Sequence, residues 1–228
     1  MTHTIKHVFF DLDHTLWDFD RNSALAFEMM FEKFKIHITV ARFLEIYQPI
    51  NLRYWKLYRE EQVTKTELRR NRLIETFSIL GHQLPLQTID MLSEDYISFL
   101  PFHNYLIEGA EELLMYLQPK YQLHIITNGF KEVQHIKLNN ANIHHYFETI
   151  TNSEEVGVKK PNPLIFEHAL RLSGAHIENS VMIGDSYEAD ILGADALGIN
   201  TICFNYHREK IPKKITQVSH LNEIKEYI

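Results

Sequence analysis

The chain has 228 residues, a formal net charge of -7, 45% apolar and 23% charged residues, and one cysteine. That length holds one large core, or a core with an inserted subdomain, and the balance is ordinary for a globular protein. The acidic balance argues against a nucleic-acid polymer as partner, and a single thiol cannot close an internal disulfide. No run approaches membrane-span length, and the first ten residues lack the apolar stretch of a signal peptide. A cytoplasmic protein with no membrane partner is the expectation.

The first predicted element is a strand over Val8-Phe9-Phe10 that runs straight into Asp11-Leu12-Asp13-His14-Thr15-Leu16. With period two, Asp11 and Asp13 start out on one side of the chain. Two acids on one side repel and are costly to bury, unless a cation lies between them or one carries a proton. Such acids also serve turns and helix caps. The functional reading is metal-assisted chemistry, with one acid as nucleophile and the other as general acid/base.

From residue 19 to 102 no strand is convincing, and amphipathic segments follow one another at 24–34, 43–47, 52–59, 68–80 and 89–100, with Gly81 and Pro85 between the last two. A block that long is no simple connection. It is read as an all-helical cap subdomain, residues 18–104, inserted into an α/β core made of 1–17 and 105–228. The aromatic residues Trp17, Phe19, Tyr54 and Trp55 could stack on a base, but at helical spacing they serve equally as core, and none is assigned to binding.

Beyond the insert, strands are expected at 123–127, 147–151, 181–184 and 201–204, alternating with helices at 109–117, 131–139, 163–172 and 189–197. This alternation predicts a Rossmann-like parallel sheet with helices on both faces, and a site beyond the carboxyl ends of the strands. Four strand ends carry polar residues there. After Asp11 and Asp13 comes Thr127-Asn128-Gly129, which can offer a hydroxyl and backbone N–H groups to a phosphate, though alone it is also an ordinary turn. Lys160 precedes Pro161, which favours an extended backbone and presents the lysine from a loop, able to pair with Asp11 and a substrate phosphate. Its neighbour Lys159 is read as solvated. Asp185 ends the fourth strand and supplies a further hard oxygen for Mg²⁺. Asp190, near the start of the next helix, either supports the metal ligands from behind or suits the helix dipole. Cys203 is read as a buried thiol. The tail 206–228, basic at Lys210, Lys213 and Lys214, is read as a solvated surface.

In this order the four strand ends resemble the haloacid dehalogenase-like phosphohydrolases, with their Asp-x-Asp-x-Thr strand end, Ser/Thr strand end, lysine and Gly-Asp motif. Where many members carry glycine between the second acid and the threonine, this chain has His14. The resemblance implies that Asp11 attacks phosphorus and that Asp13 protonates the leaving oxygen and then activates water. Thr127, the Asn128 amide and Lys160 would hold the remaining phosphoryl oxygens. It also implies Mg²⁺ held by the carboxylates of Asp11 and Asp185 and the carbonyl of Asp13, with Asp190 behind them. The dehalogenase branch lacks the second acid, so Asp13 favours phosphoryl chemistry. The tract 15–23, with 51–58 and 64–72, looks like the pyrimidine 5′-nucleotidase subgroup, which implies a nucleoside monophosphate as the small-molecule substrate and places specificity in the cap. A sugar-phosphate or phosphoglycolate-type phosphatase, or a phosphomutase, fits the same four motifs and is separated by a substrate panel. A catalytically silent binding module is the non-enzyme alternative, opposed by the intact set of motif residues.

Overall fold

The computed structural model describes residues 4–228. The chain divides into two compact units: the chain up to Phe19 together with Asn104–Ile228, and Asp20–His103.

In the first unit, six parallel strands form one sheet, ordered β3-β2-β1-β4-β5-β6. They are β1 (His7–Phe10), β2 (Gln122–Thr127), β3 (Phe147–Asn152), β4 (Ser180–Gly184), β5 (Asn200–Phe204) and β6 (Gln217–Val218). β1 and β4 are buried along their whole length, so their near-continuous apolar sequence is what a sheet covered on both faces requires. The chain builds outward from β1 through β2 to β3, then returns to lay β4 on the other side of β1. That reversal opens a crevice at the carboxyl end of the central strand. Phe10, the last residue of β1, pairs with both Ile125 and Ile183, so β4 runs one residue and β2 two residues past it. On one face, Phe9, Ile126 and Met182 pack against Ile165, Phe166, Ala169 and Leu170 of the helix Pro163–Ser173.

The first unit also holds the place where the insertion leaves and returns. Trp17 and Leu106 form an antiparallel bridge, with Ile107 N–H donating to Leu16 O at 2.9 Å and Asp18 N–H to Tyr105 O at 3.0 Å. The second unit is helical: α1 (Phe19–Phe34, whose first residue belongs to the core), α2 (Val40–Arg59), α3 (Lys65–Ile79) and α4 (Leu86–Phe99). Thr64 and Glu67 close a capping box at the start of α3. Its interior is aromatic, with Phe27 against Tyr96 at 4.4 Å and against Phe43 and Tyr47 at 4.7 Å. Arg72, 1% exposed, donates to Asn51 Oδ1 at 2.8 Å and lies over the rings of Tyr47 and Tyr96.

Three sequence expectations change. The segments 43–47 and 52–59 belong to one helix, α2, which runs through Pro49. The tail is not simply solvated: β6 pairs with β5, and Ile215, Val218, Leu221 and Ile224 are buried. The expected helix over 189–197 is a wide π-type turn, Tyr187–Leu192, followed by a short helical turn, Gly193–Asp195. Among the described residues no helix is long and apolar enough to cross a membrane.

Away from the crevice, β1 and β2 bury two histidines. His7 Nδ1 lies 3.1 Å from His124 Nε2, and His124 Nδ1 lies 2.9 Å from Thr149 Oγ1. Burial, reinforced by His7, pushes His124 down from 6.5 to about 4, and burial also lowers His7. The His124 ring is therefore neutral in the fold, whereas the unfolded chain takes up a proton there near pH 6.5. The unfolded state then binds more protons below that pH, so stability falls on acidification. Lowering the pH from 6.5 to 5 should reduce the unfolding free energy by about 1.4 kcal/mol per unit for each such proton. In urea titrations across that range His124→Gln should show a shallower slope than the parent, and an unchanged slope would refute the assignment.

Candidate active site

β1 ends at Phe10, and the acids lie on the loop beyond it. Asp11 N–H still donates to Ile183 O at 2.9 Å, but the chain then turns tightly, with Leu16 N–H and Trp17 N–H returning to Leu12 O at 2.9 Å. The strand period therefore stops before the acid pair, and the two carboxylates meet different cations. Asp11 Oδ1 accepts from Lys160 Nζ at 2.6 Å, whereas Asp13 Oδ1 accepts from Lys137 Nζ at 2.6 Å.

Lys160 is the hub of the first group. Its side chain is 2% exposed, and Nζ also donates to Ile126 O at 2.6 Å and sits 2.7 Å from Asp190 Oδ1. The peptide bond to Pro161 is cis. Asn128 clasps the Lys160 backbone from both sides, its Oδ1 accepting from Lys160 N–H at 2.9 Å and its Nδ2 donating to Lys160 O at 3.0 Å. The turn after β2 thus fixes the lysine that faces Asp11.

Asp185 follows β4, with Oδ1 accepting from Thr15 Oγ1 at 3.2 Å and Oδ2 lying 3.2 Å from His207 Nε2. The wide turn of the next segment brings Asp190 back over the strand end, where its Oδ2 accepts from Ser186 N–H at 3.0 Å. Only glycine permits this approach, because a Cβ at Gly184 would lie 2.3 Å from Asp190 Oδ2 and 2.6 Å from its Cβ.

The electrostatics follow from crowding. Burial lifts Asp11 well above the ordinary carboxylate range; Lys160 opposes the shift, and Asp190 and Asp185 add to it. Asp190 is likewise raised, by burial first, against Lys160 and with Asp185. For Asp185 burial acts upward, but the hydrogen bond to His207 and the charges of His14, His207 and Lys160 carry it below its usual value. Lys160 is raised despite its burial, because Asp11 and Asp190 hold the proton on.

One oxygen from each of Asp11, Asp185 and Asp190 lies within 4.8 Å of the others. With Asp13 alongside, four carboxylates face two lysine ammonium groups, a deficit one divalent cation would fill. An all-oxygen, carboxylate-rich set of this kind suits a hard dication. The residues present therefore fit a metal of the magnesium type.

The second group was not foreseen from the sequence. The helix Lys131–Asn140 turns Gln134 and Lys137, three residues apart and both 1% exposed, toward Asp13. Gln134 Nε2 donates to Asp13 Oδ2 and to Thr127 Oγ1, both at 3.0 Å. Lys137 Nζ also lies 4.2 Å from the centre of the Trp17 ring. Thr127 Oγ1 accepts from Gly129 N–H at 3.0 Å as well, so both lone pairs are used and its hydroxyl proton is left to donate. A polar pair at i, i+3 on the otherwise apolar face of this helix is the signal that could have pointed to Gln134 and Lys137. His207 was also missed, although it lies just past the end of β5, where such sheets build their sites.

Of the residues singled out in the sequence, Asp11, Lys160, Asp185 and Asp190 converge on one cluster. Asp13 and Thr127 meet through Gln134. Asn128 contributes its side chain to the Lys160 backbone.

A model of the family described as haloacid dehalogenase-like hydrolase matches residues 8–204. The chain is 32% identical over 225 residues to the pyrimidine 5′-nucleotidase YjjG of Escherichia coli (strain K12), covering 97% of this chain and 96% of that one. It is also 32% identical over 238 residues to a glyceraldehyde 3-phosphate phosphatase of Methanothermobacter thermautotrophicus, covering 98% of this chain and all of the other. Among solved structures, the HAD-hydrolase YfnB from Bacillus subtilis bound to magnesium superposes with a TM-score of 0.89 at 29% identity, over 98% of each chain.

Gly184→Ala should displace Asp190 and cost about 1–3 kcal/mol of stability as an overpacked substitution, measured by urea unfolding. A variant as stable as the parent would show that Asp190 yields freely.

Proposed function

The chain belongs to the haloacid dehalogenase-like hydrolase family, and from that premise we propose a magnesium-dependent phosphatase acting on pyrimidine nucleoside 5′-monophosphates, non-standard bases included, through a phosphoaspartate on Asp11. The observation that carries this reading is the placement of Asp11. Its carboxylate stands at the end of the central strand, held by a buried lysine 2.6 Å away and flanked by Asp185 and Asp190.

In this mechanism Asp11 attacks phosphorus, and Lys160 offsets charge on the carboxylate and on the transferring group. The Thr127 hydroxyl, the Asn128 backbone N–H and Lys160 hold the remaining oxygens. Asp13 gives its proton to the leaving oxygen and later takes one from the water that cleaves the phosphoaspartate. Lys137 and Gln134 fix the direction in which Asp13 points. Magnesium, held by the carboxylates of Asp11 and Asp185 and the carbonyl of Asp13, with Asp190 behind them, would neutralise phosphate charge. The presence of a second carboxyl group at position 13 supports phosphoryl transfer over dehalogenation, where the leaving halide needs no proton.

A second reading, a small sugar phosphate as substrate, is favoured by the similarity to the glyceraldehyde 3-phosphate phosphatase. Phosphate release from nucleoside monophosphates and triose phosphates, with Mg²⁺ and with EDTA, separates the two. The expected result is Mg²⁺-dependent hydrolysis with higher kcat/KM on pyrimidine nucleotides; preference for triose phosphates would transfer the assignment to the second reading.

Asp11→Asn should reduce turnover to background, and Asp13→Asn should cost about 10²–10⁴-fold, the usual worth of a positioned acid/base. Because burial and its neighbours lift Asp11, keeping it ionised costs folding energy at neutral pH, a cost that disappears on acidification. Asp11→Asn should therefore melt at least as high as the parent in EDTA. A folded Asp11→Asn protein with full activity would remove the nucleophile.

Lys137→Met should lower kcat by about 10²-fold through misdirection of Asp13, with KM little changed. An unaltered kcat would reduce Lys137 to a packing residue.

A further inference from the structure

The loop bearing the acid pair also carries His14. His14 has φ 65°, the left-handed region that glycine occupies without strain and that other residues seldom occupy. A residue held there marks a place where the surroundings fix the backbone, and such outliers gather at functional sites. Its ring lies 5.0 Å from Phe19, 5.2 Å from Tyr206 and 4.9 Å from His207, measured between centres. His207, its side chain 27% exposed, brings Nε2 to 3.2 Å from Asp185 Oδ2. One ligand atom from each of His14, Asp185 and His207 lies within 4.8 Å of the others.

Two imidazoles and a carboxylate are a different set from the carboxylates of Asp11, Asp185 and Asp190. Nitrogen ligands suit zinc, cobalt, nickel and copper, whereas magnesium takes oxygen almost alone. A three-ligand nitrogen and oxygen site with one side open to water is the arrangement borderline cations accept.

We propose that His14, Asp185 and His207 form a second cation site, selective for a borderline divalent metal of the zinc class, which shares Asp185 with the oxygen site beside it. One carboxylate serving two sites couples them. A zinc-class ion drawn to the imidazoles holds Asp185 on its own side, so its binding opposes Mg²⁺ at the neighbouring position. This antagonism rests on the phosphatase reading; the binding itself does not.

Cobalt(II) is the probe, because its visible absorption reports nitrogen and oxygen ligation directly; the titration is run without Mg²⁺ and repeated in excess Mg²⁺, which should weaken the apparent Co²⁺ affinity. His14→Gly removes the imidazole while relieving the backbone, and His207→Ala removes a partly exposed ring, so both variants should fold. The parent chain should bind one Co²⁺ with a visible band that Zn²⁺ displaces. Each variant should bind at least about ten-fold more weakly, since even groups that only orient a metal ligand are worth 10–100-fold in affinity. Zn²⁺ should inhibit Mg²⁺-supported phosphate release in the parent, at about ten-fold lower concentration than in either variant. Absence of a Co²⁺ band, or equal Co²⁺ affinity in the parent and both variants, overturns the site. Co²⁺ binding lost in the variants, in a protein with no phosphatase activity, leaves the site standing and removes the reading of the oxygen site instead.

Discussion

Four carboxylates are packed beyond the end of one parallel sheet, where they repel each other and two lysines hold them. Lys160 is the critical one. Its ammonium is buried, touches Asp11 and Asp190 at once, and is anchored through its own backbone by the side chain of Asn128. Without that cation the cluster would protonate or open, since a buried carboxylate without a partner does not remain ionised. The sheet order provides the geometry: β1 is central and the chain reverses beside it, so three neighbouring strand ends deliver Asp11, Thr127 and Asp185 to one crevice. Gly184 then admits Asp190 to a distance that any side chain at that position would forbid.

The separation of Asp11 from Asp13 follows from where the strand stops. Had β1 continued, both acids would face one cation and behave as a repelling pair. Because the chain turns after Phe10, Asp11 faces Lys160 and the acid cluster, whereas Asp13 faces Gln134 and Lys137, whose ammonium lies over the indole of Trp17. Two carboxylates two residues apart thereby acquire separate surroundings, as the distinct roles proposed for them require.

Much of this was legible before any coordinates. The five longer strands were visible because buried parallel strands are nearly all apolar, and their polar ends stood out against that background. Asp11 and Asp185 could be named for the same reason, whereas Lys160 was marked by the proline after it and Asp190 by its place near the start of the next segment. Lys137 and Gln134 were hidden because a polar residue on a helix reads as solvated unless its face is known, and the face is set by packing. His207 was hidden because β6 is two residues long and too short to leave a periodic signal, so the tail around it resembled surface. The apolar spacing showed 43–47 and 52–59 as separate segments, whereas helix α2 runs on through Pro49, a residue whose local preference against helix is overridden by the packing of this helical unit.

The bridge between Trp17 and Leu106 has a consequence for descent and for engineering. The chain leaves the core and re-enters it at two points already hydrogen-bonded to one another, so whatever lies between them hangs from a closed clasp. The entropy of closing such a loop grows only with the logarithm of its length. Modules of quite different size can therefore be exchanged there with little effect on the sheet, and the hydrolytic chemistry and the inserted segment can diversify at separate rates along one polypeptide.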